Sequence, residues 1–362
     1  MLHVIYGKDS YSMTRELLQS MSPEKEWNKD ALIALKPNLV VSKPSESGAT
    51  TSPEITRGVI EHLKEKGFNN LVIMESSWVG DSTVKAFNVC GYEKLARKYN
   101  IDLVDLKRDK AVKKKGKNLT ISLCEKVLEI DYLINLPVLK SHCQTRLTCA
   151  LKNLKGLIPD KEKRRFHGLG LHEPIAELNF LIKTALVIVD AVIGDLTHEE
   201  GGNPVEMGRI IGGTDPVLVD SYAAELIGLE IEEIPYISMS NQAGIGKLFN
   251  NETVLKEYRL DDYPQVTLKP SPRVKRLAEH IVEVGACSPC YGALIHALSR
   301  LEERGTLEKI PGKIFIGRKF KDIESSSLGI GVCTAKFNKS VSGCPPKARD
   351  IVKYLEEHLI NN

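Results

Sequence analysis

From residue 30 to about residue 230, short apolar segments alternate with amphipathic ones, a pattern that few fold classes accommodate. The apolar segments have the length and composition of strands and lie at 31–35, 71–74, 101–106, 132–136 and 185–189. Helices are predicted between or after them at 53–66, 83–99 and 215–227. This alternation predicts an α/β fold with a largely parallel, doubly wound sheet that is covered on both faces.

The sequence changes character near residue 263, where Pro264, Pro270 and Pro272 lie close together. A chain of 362 residues with 42% hydrophobic residues is long enough for two domains with full cores. We therefore predict an α/β core domain over residues 1–262 and a smaller C-terminal α/β region over residues 263–362. The elements predicted in the second region are helices at 273–283, 291–303 and 345–359, a strand at 313–317 and a Ser/Gly loop.

The charge balance excludes several classes of protein. Fifty Lys and Arg against 47 Asp and Glu give a net charge of +3, which argues against a dedicated nucleic-acid binder. No apolar run is long enough to span a membrane, and the N-terminal residues lack the pattern of a signal peptide. We expect a cytoplasmic protein without a membrane or nucleic-acid partner, and a homodimer as the commonest oligomer.

Four of the eight cysteines occur in sequence contexts that suit a metal centre. Cys287 and Cys290 form a CxxC pair, which lets two thiolates face one centre. Cys333 follows a glycine-rich segment that allows the backbone close to a bulky cofactor. Cys344 precedes two prolines and, we expect, the N-terminus of a helix. These four residues are the predicted metal ligands.

The type of centre remains open at the level of sequence. Four thiolates suit a [4Fe–4S] cluster or a zinc ion. A single CxxC pair and a Cys-Pro flank favour the cluster, because structural zinc sites usually have two CxxC pairs. A dithiol, or unrelated buried cysteines, is the third alternative. The other four cysteines are expected in the core, although Cys143 adjoins His142 and could line a site.

Polar side chains lie at the ends of several predicted strands. Ligands of parallel α/β sheets bind beyond the carboxyl ends of the strands, so these residues are expected to converge. Lys36 and Asn38 follow the first strand, Lys140 and His142 follow a later one, and Asp190 ends the most apolar strand. We predict that Lys36 and Asn38 bind a ligand and that Lys140, His142 and Asp190 take part in catalysis.

Residues 140–167 carry eight Lys or Arg against two acidic residues, a net charge of +6. Lys152 and Lys155 are three residues apart and share a face if the segment is helical. With Asn153 between them they are candidates for binding a carboxylate or a phosphate. A solvated basic loop is the simpler alternative.

His142 and His167 flank this basic segment and are candidates for acid–base catalysis, because imidazole titrates near neutral pH. A structural role is the alternative for each. His198, Glu199 and Glu200 form a later loop, whose two carboxylates could hold a cation or could simply be exposed.

The chain has no Walker A sequence, no GxGxxG after the first strand, no HExxH and no GxSxG, which excludes the common nucleotide-binding and hydrolase mechanisms. It does contain an ordered set of motifs: Lys36-Pro-Asn38, Thr51-Ser-Pro-Glu54, Leu139-Lys-Ser-His142, Ala150-Leu-Lys-Asn-Leu-Lys-Gly156, Phe166-His167, Val189-Asp190 and Asp215-Pro216 with Asp220.

Over residues 30–250 this set resembles the prokaryotic family known as domain of unknown function 362. The resemblance implies an association with iron–sulfur clusters, often through an attached ferredoxin-type module. The chain lacks the CxxCxxCxxxCP run of such modules, so its own four C-terminal cysteines would do the equivalent job. More remotely, the layout with Lys and His at strand ends is similar to that of nickel-pincer lactate racemase.

The leading hypothesis is an iron–sulfur redox protein that binds or acts on a small anionic organic ligand, with a ferredoxin-type electron partner. The first alternative is a non-redox isomerase, racemase or lyase of a hydroxy or keto acid, with structural zinc. A non-catalytic scaffold that handles a cofactor is the second alternative.

Overall fold

The computed structural model describes residues 1–197, 199–260, 263 and 273–360. The chain divides into two compact units. The large unit comprises residues 1–163 and 172–270, and the small unit comprises residues 164–171 and 271–362. The proline-rich boundary predicted at Pro264, Pro270 and Pro272 lies outside the described residues.

The large unit contains twelve strands within its described residues. They are β1 (Leu2–Tyr6), β2 (Ile33–Pro37), β3 (Leu71–Glu75), β4 (Asp102–Asp105), β5 (Ala111–Lys115), β6 (Thr120–Cys124), β7 (Tyr132–Leu136), β8 (Lys140–His142), β9 (Arg146–Thr148), β10 (Leu186–Asp195), β11 (Pro204–Gly213) and β12 (Leu255–Arg259).

Eight of these strands form one sheet in the order β12-β1-β11-β10-β7-β2-β3-β4. Every neighbouring pair is parallel except the two that involve β11, so β11 alone runs against the other seven described strands. All five residues of β1, β2 and β3 are buried, which requires cover on both faces. The predicted α/β fold with a largely parallel sheet is confirmed.

The described helices of residues 1–242 are α1 (Ser10–Met21), α2 (Pro53–Glu65), α3 (Thr83–Val89), α4 (Tyr92–Tyr99), α5 (Ala150–Asn153), α6 (Asp160–Leu169), α7 (His172–Leu181), α8 (Pro216–Leu226) and α9 (Pro235–Gln242). Of these, α1, α3, α4, α5 and α8 pack against strands of the main sheet. The single helix predicted over 83–99 is two helices, because Gly91 takes a left-handed conformation (φ +82°) between them. None of the helices in the described part of the chain is long and apolar enough to cross a membrane.

Two small hairpins lie outside the main sheet. One pairs β5 with β6, and the other pairs β8 with β9. The second hairpin begins with Lys140 and His142 and continues through Arg146, whose φ of +64° is unusual for a residue with a side chain. It therefore presents the polar residues that follow β7 on a short, sharply turned segment.

The small unit has its own four-stranded sheet. Its strands are β13 (Ile281–Glu283), β14 (Ile314–Ile316), β15 (Ser325–Ile330) and β16 (Phe337–Val341), in that order and all parallel. The helices are α10 (Arg273–Ala278), α11 (Ser288–Glu303) and α12 (Ala348–Leu355).

Three predictions for this unit were wrong in detail. The helix expected over 273–283 ends at Ala278 and is followed by β13. The expected Ser/Gly loop contains β15, which begins with three serines, of which Ser325 pairs with Phe337 of β16 before the register shifts and pairing resumes at Leu328. The last helix begins at Ala348, so Cys344 precedes it by four residues rather than lying at its N-terminus.

Candidate functional site

Lys36 ends β2 with its side chain completely buried. Its Nζ donates to Glu75 Oε2 at 2.7 Å and to the carbonyl oxygen of Pro37 at 2.8 Å. Burial lowers the pKa of Lys36, and the charge of Glu75 opposes this shift. The charge of the lysine that was predicted to bind ligand is therefore already matched by a carboxylate inside the protein.

Asn153 joins this ion pair to its surroundings. Its Oδ1 lies 3.4 Å from Lys36 Nζ, and its Nδ2 donates to Asn135 Oδ1 at 2.7 Å and to the carbonyl oxygen of Lys36 at 3.3 Å. Asn153 thus links α5 to β2 and β7. This placement gives it a positioning role for the segment that carries Lys152 and Lys155.

Asp220 on α8 holds the start of α5 from outside the helix. Its two carboxylate oxygens accept hydrogen bonds from the backbone N–H groups of Ala150 at 2.6 Å and Leu151 at 3.1 Å. Burial raises the pKa of Asp220 to about 7, and these N–H donors oppose the shift. The carboxylate therefore replaces the side-chain cap that Cys149 does not provide.

Asp190 was predicted to be catalytic. It is buried, and its oxygens accept hydrogen bonds from the backbone N–H groups of Ser52 at 2.8 Å and Val192 at 3.2 Å. Burial raises its pKa to about 6. The described residues place no lysine nitrogen within 4.0 Å of it, and its contacts hold the start of α2 against β10.

Lys140 and Lys152 are buried without a carboxylate within 4.0 Å in the described part of the chain. Lys140 Nζ donates to the carbonyl oxygen of Ala49 and lies 3.5 Å from Asn38 Oδ1. Lys152 Nζ donates to Thr148 Oγ1 at 3.0 Å. These hydrogen-bond partners are neutral, and the carboxylate of Glu199 acts on both charges only from beyond 4.0 Å, so neither lysine has a directly bonded counter-ion.

The electrostatics of this lysine cluster follow from that arrangement. Burial lowers the pKa of Lys140 to about 7, and repulsion from Lys152 adds to the effect. Burial likewise lowers the pKa of Lys152 to about 8. Lys155 has a pKa well below its ordinary value because of burial and of the charges of Lys152 and Lys163. We call Lys140, Lys152 and Lys155 the lysine cluster.

His142 lies on the same hairpin as Lys140. Its Nδ1 accepts hydrogen bonds from the backbone N–H groups of Gln144 and Thr145, both at 3.1 Å. Because Nδ1 accepts these hydrogen bonds, the single N–H proton of the neutral imidazole lies on Nε2. His142 Nε2 lies 3.4 Å from Glu199 Oε1, so the imidazole faces a carboxylate.

Glu199 also binds Cys143. Its Oε2 accepts hydrogen bonds from the backbone N–H and from the thiol of Cys143, both at 3.1 Å. Burial and the charge of Glu199 raise the pKa of Cys143 well above its ordinary value. The thiol therefore stays protonated and donates to the carboxylate, which makes it a poor nucleophile.

His142, Cys143 and Glu199 offer three possible metal-ligand atoms within 4.8 Å of one another. In the described arrangement, protons of His142 and Cys143 point at the carboxylate. A metal ion would have to displace both protons and to bind beside the positive charges of Lys140 and Lys152, which act electrostatically on the same carboxylate. The arrangement therefore fits a hydrogen-bonded acid–base group better than a preformed metal site.

The other histidines of the predicted site are not part of this group. His167 lies on α6 within residues 164–171, which belong to the small unit. His198 lies outside the described residues. Lys163, which sequence reasoning did not single out, donates to Ser76 Oγ and to the carbonyl oxygens of Ser76 and Ser77, and burial lowers its pKa to about 8.

In the small unit, the four predicted metal-ligating cysteines follow three strands of the parallel sheet. Cys287 follows β13 and caps α11, with Cys290 in the first turn of that helix. Cys333 comes three residues after β15, and Cys344 three residues after β16. The carboxyl ends of parallel strands lie at one edge of a sheet, so all four cysteines belong to that edge. We call it the four-cysteine edge.

Contacts between the loops agree with this placement. A methyl group on Gly331 would lie 3.8 Å from Cys290 Sγ and 3.5 Å from the carbonyl oxygen of Gly343. The N–H of Val332 donates to the same carbonyl oxygen at 3.1 Å. The loops that carry Cys333 and Cys344 therefore touch each other, and Cys290 lies against the first of them.

The thiol groups also act on one another electrostatically. Burial raises the pKa of Cys290 to about 12, and repulsion from Cys287, Cys344 and Cys333 adds to the shift. Cys344 is exposed, whereas the other three are half-buried. Of the remaining cysteines, Cys90, Cys124 and Cys149 are buried, as the sequence predicted.

The fold and these groups define an α/β protein with a lysine cluster in its large unit and a four-cysteine edge in its small unit. The chain matches the model of the family Domain of unknown function (DUF362) over residues 33–225, more than half of its length. It therefore belongs to the DUF362 family. The matched residues include the lysine cluster, whereas the four-cysteine edge lies beyond them.

Two other comparisons place the chain among known proteins. It is 26% identical over 220 residues to a thylakoid-associated protein of Synechocystis, and the match covers 59% of this chain and 68% of that protein. A solved structure of the lactate racemase apoprotein from Thermoanaerobacterium thermosaccharolyticum is similar with a TM-score of 0.41 and 11% identity. That similarity covers 64% of this chain and 57% of the racemase chain.

Proposed function

We propose that the chain is an iron–sulfur redox protein that binds a small anionic organic ligand. The observation that carries the redox half is the four-cysteine edge, where three parallel strands each end in a loop or helix start that supplies cysteine. Unrelated cysteines in a core would have no reason to converge on the ligand-binding edge of a sheet.

The sequence contexts of the four cysteines favour a cluster over zinc. Structural zinc sites usually have two CxxC pairs, whereas the four-cysteine edge has the single pair Cys287 and Cys290 and a Cys-Pro flank at Cys344. A [4Fe–4S] cluster holds each thiolate on a separate iron, so its ligands can come from three separate loops.

The residues of the small unit fit such a group in further respects. Gly331 has no side chain and leaves room beside Cys290 Sγ, from which an added Cβ would lie 3.8 Å away. Cys287, Cys290, Cys333 and Cys344 would be the ligands, and the cluster would supply one-electron transfer. Because Cys344 is exposed, an electron carrier of the ferredoxin type could come close to the cluster at this ligand.

The redox half is tested by reducing the protein with dithionite after anaerobic purification. We expect visible charge-transfer absorption that bleaches on reduction, together with an electron paramagnetic resonance signal of a reduced cluster. A colourless protein that contains zinc would contradict this half of the proposal.

The ligand half rests on the lysine cluster. Lys140 and Lys152 carry buried positive charges whose protein neighbours are neutral acceptors, and a carboxylate or phosphate group would compensate both. Asn38 lies beside Lys140 and would orient the same group. Lys36 is already paired with Glu75, and Asn153 Oδ1 lies 3.4 Å from the Lys36 ammonium group. We therefore expect both residues to position the site rather than to bind the ligand.

Anion binding should depend on pH through these two lysines. The pKa values of Lys140 and Lys152 are about 7 and about 8, so both are charged at pH 6 and neutral at pH 9.5. We expect inorganic phosphate and small carboxylates to raise the melting temperature at pH 6 and to lose most of that effect at pH 9.5. Lys152→Met should abolish the shift at pH 6.

Lys161→Met is the matched control for this experiment. Lys161 is an exposed lysine of the same basic segment, so its replacement removes one charge without touching the cluster. Equal loss of the ligand-induced shift in both variants would mean that general surface charge attracts the anion, and would refute the lysine cluster as the binding site.

The same substitution should stabilise the ligand-free protein. Folding of Lys152 buries a charge without a directly bonded counter-ion, and burial lowers its pKa from an ordinary value of about 10.4 to about 8 although the charge of Glu199 opposes the shift. This cost is complete below pH 8 and disappears as the pH rises to about 10. We expect Lys152→Met to raise the free energy of unfolding by about 1–3 kcal/mol at pH 6.5, measured by urea denaturation, with little gain at pH 10.

Proton-transfer chemistry without redox, as in an isomerase, racemase or lyase of a hydroxy acid, is the second candidate function. The pairing of His142 Nε2 with Glu199 at 3.4 Å favours it, because a carboxylate partner orients an imidazole for acid–base catalysis. Incorporation of solvent deuterium at the carbon next to the carboxylate of a 2-hydroxy acid, abolished by His142→Asn, would support this function. A zinc-free iron protein without such exchange would exclude it.

A further inference from the structure

Arg318 follows β14, the strand of the small sheet that supplies no cysteine. Its Nη2 donates to Cys287 Sγ at 3.3 Å, and its Nη1 donates to the carbonyl oxygen of Arg164 at 3.3 Å. The guanidinium is thus held at both ends, by the four-cysteine edge and by the segment 164–171 of the same unit. Among the described side chains, Arg318 is a charged group that donates a hydrogen bond to one of the four sulfur atoms.

The same charge reaches further cysteines. The positive charge of Arg318 also acts electrostatically on Cys290 and Cys333. The guanidinium charge therefore acts on three of the four predicted ligands. The neighbouring Lys319 is exposed, and among the described side-chain hydrogen bonds it is Arg318, not Lys319, that donates to Cys287 Sγ.

We propose that Arg318 raises the reduction potential of the centre on the four-cysteine edge. This inference rests on the proposed iron–sulfur function. Uptake of one electron, from dithionite or from a carrier protein, adds one negative charge to the centre and its thiolates. A fixed cation that hydrogen-bonds a ligating sulfur stabilises that added charge, so the reduced state forms more readily.

Arg318 acts through Cys287 and is a positioning residue rather than a ligand. Its planar fork allows one nitrogen to bind the sulfur while the other binds the backbone of segment 164–171. Lysine at this position would keep the charge and lose one of the two bonds. The effect of Arg318→Lys should therefore be smaller than that of a neutral replacement.

The test is a redox titration of the anaerobically purified full chain, followed by electron paramagnetic resonance. We expect Arg318→Gln to shift the midpoint potential to more negative values, Arg318→Lys to shift it less, and the control Lys319→Gln to leave it unchanged. An unchanged potential in Arg318→Gln, or an equal shift in Lys319→Gln, would overturn the inference.

Iron analysis separates this inference from the proposed function. A wild-type protein without iron would overturn both. A wild-type protein with four irons whose potential ignores Arg318 would overturn only the inference. If Arg318→Gln fails to retain iron, Arg318→Lys decides the question. It keeps the charge but loses one of the two bonds of the guanidinium, so a small negative shift of the potential is expected, and an unchanged potential would overturn the inference.

Discussion

Replacing Cys287 and Cys290 together by serine is expected to reduce bound iron from about four atoms per chain to less than one. Both residues lie at the start of α11 on the four-cysteine edge, and Cys290 contacts the loop of Cys333. A serine hydroxyl is not ionised at neutral pH and is a poor ligand for iron, so the variant loses two of four anchors. Iron and acid-labile sulfide should disappear in the same proportion.

Cys143→Ser is the matched control, because it removes one half-buried thiol from the large unit and leaves the four-cysteine edge intact. It should retain all of the iron. Circular dichroism would establish that the double variant remains folded. Full retention of iron by Cys287→Ser/Cys290→Ser, or equal loss in Cys143→Ser, would contradict the assignment of the ligands.

Gly156→Ala is expected to destabilise the large unit strongly. A Cβ at Gly156 would overlap Glu75 Oε1 and lie 2.6 Å from Lys36 Nζ, so it would force apart a buried ion pair. Breaking such a pair without removing its charges costs about 3 kcal/mol or more. Urea denaturation at pH 7 should show this loss.

Gly292→Ala provides the comparison. Gly292 lies inside α11, and an added Cβ meets no atom within 4 Å. Alanine has the higher helix propensity, so this variant should be unchanged or slightly more stable. A loss below about 1 kcal/mol in Gly156→Ala would mean that the ion pair of Lys36 and Glu75 can move aside, and that Lys36 is available to a ligand after all.

The centre of the large sheet was predictable because parallel strands such as β2 and β3 are fully buried and are therefore largely apolar. The strand predicted at 132–136 is β7 without any change of boundary. β15 escaped prediction because its serines have no strand pattern, and pairing with its neighbours determines its conformation instead. β11 was missed as well, and it is the strand that runs against the rest.

The candidate sites, like the sheet, were predictable only in part. Strand ends indicated where polar residues would gather, but the sequence could not say which charges would be paired. Lys36 and Lys140 both follow predicted strands, yet Glu75 pairs only with Lys36, because β3 adjoins β2 and ends in that carboxylate. Partners of this kind depend on strand order, which a single sequence does not reveal.

Arg318 was missed for a different reason. The sequence predicts metal ligands from residue types such as cysteine. Arginine does not ligate metals, so Arg318 was not among the candidate residues. Arg318 directly follows the strand predicted at 313–317. Polar residues that follow parallel strands, such as Lys36 and Lys140, were predicted to gather at a binding site, and the same reasoning applies to Arg318. The use of this reasoning in the C-terminal region would have predicted a basic side chain at the four-cysteine edge.

The most direct test of the central claim is metal and sulfide analysis of the anaerobically purified wild-type protein. A cluster on the four-cysteine edge predicts about four iron atoms and four acid-labile sulfides per chain, with zinc far below one equivalent. One zinc per chain without sulfide, or no metal in a protein that is folded and has reduced thiols, would contradict the claim.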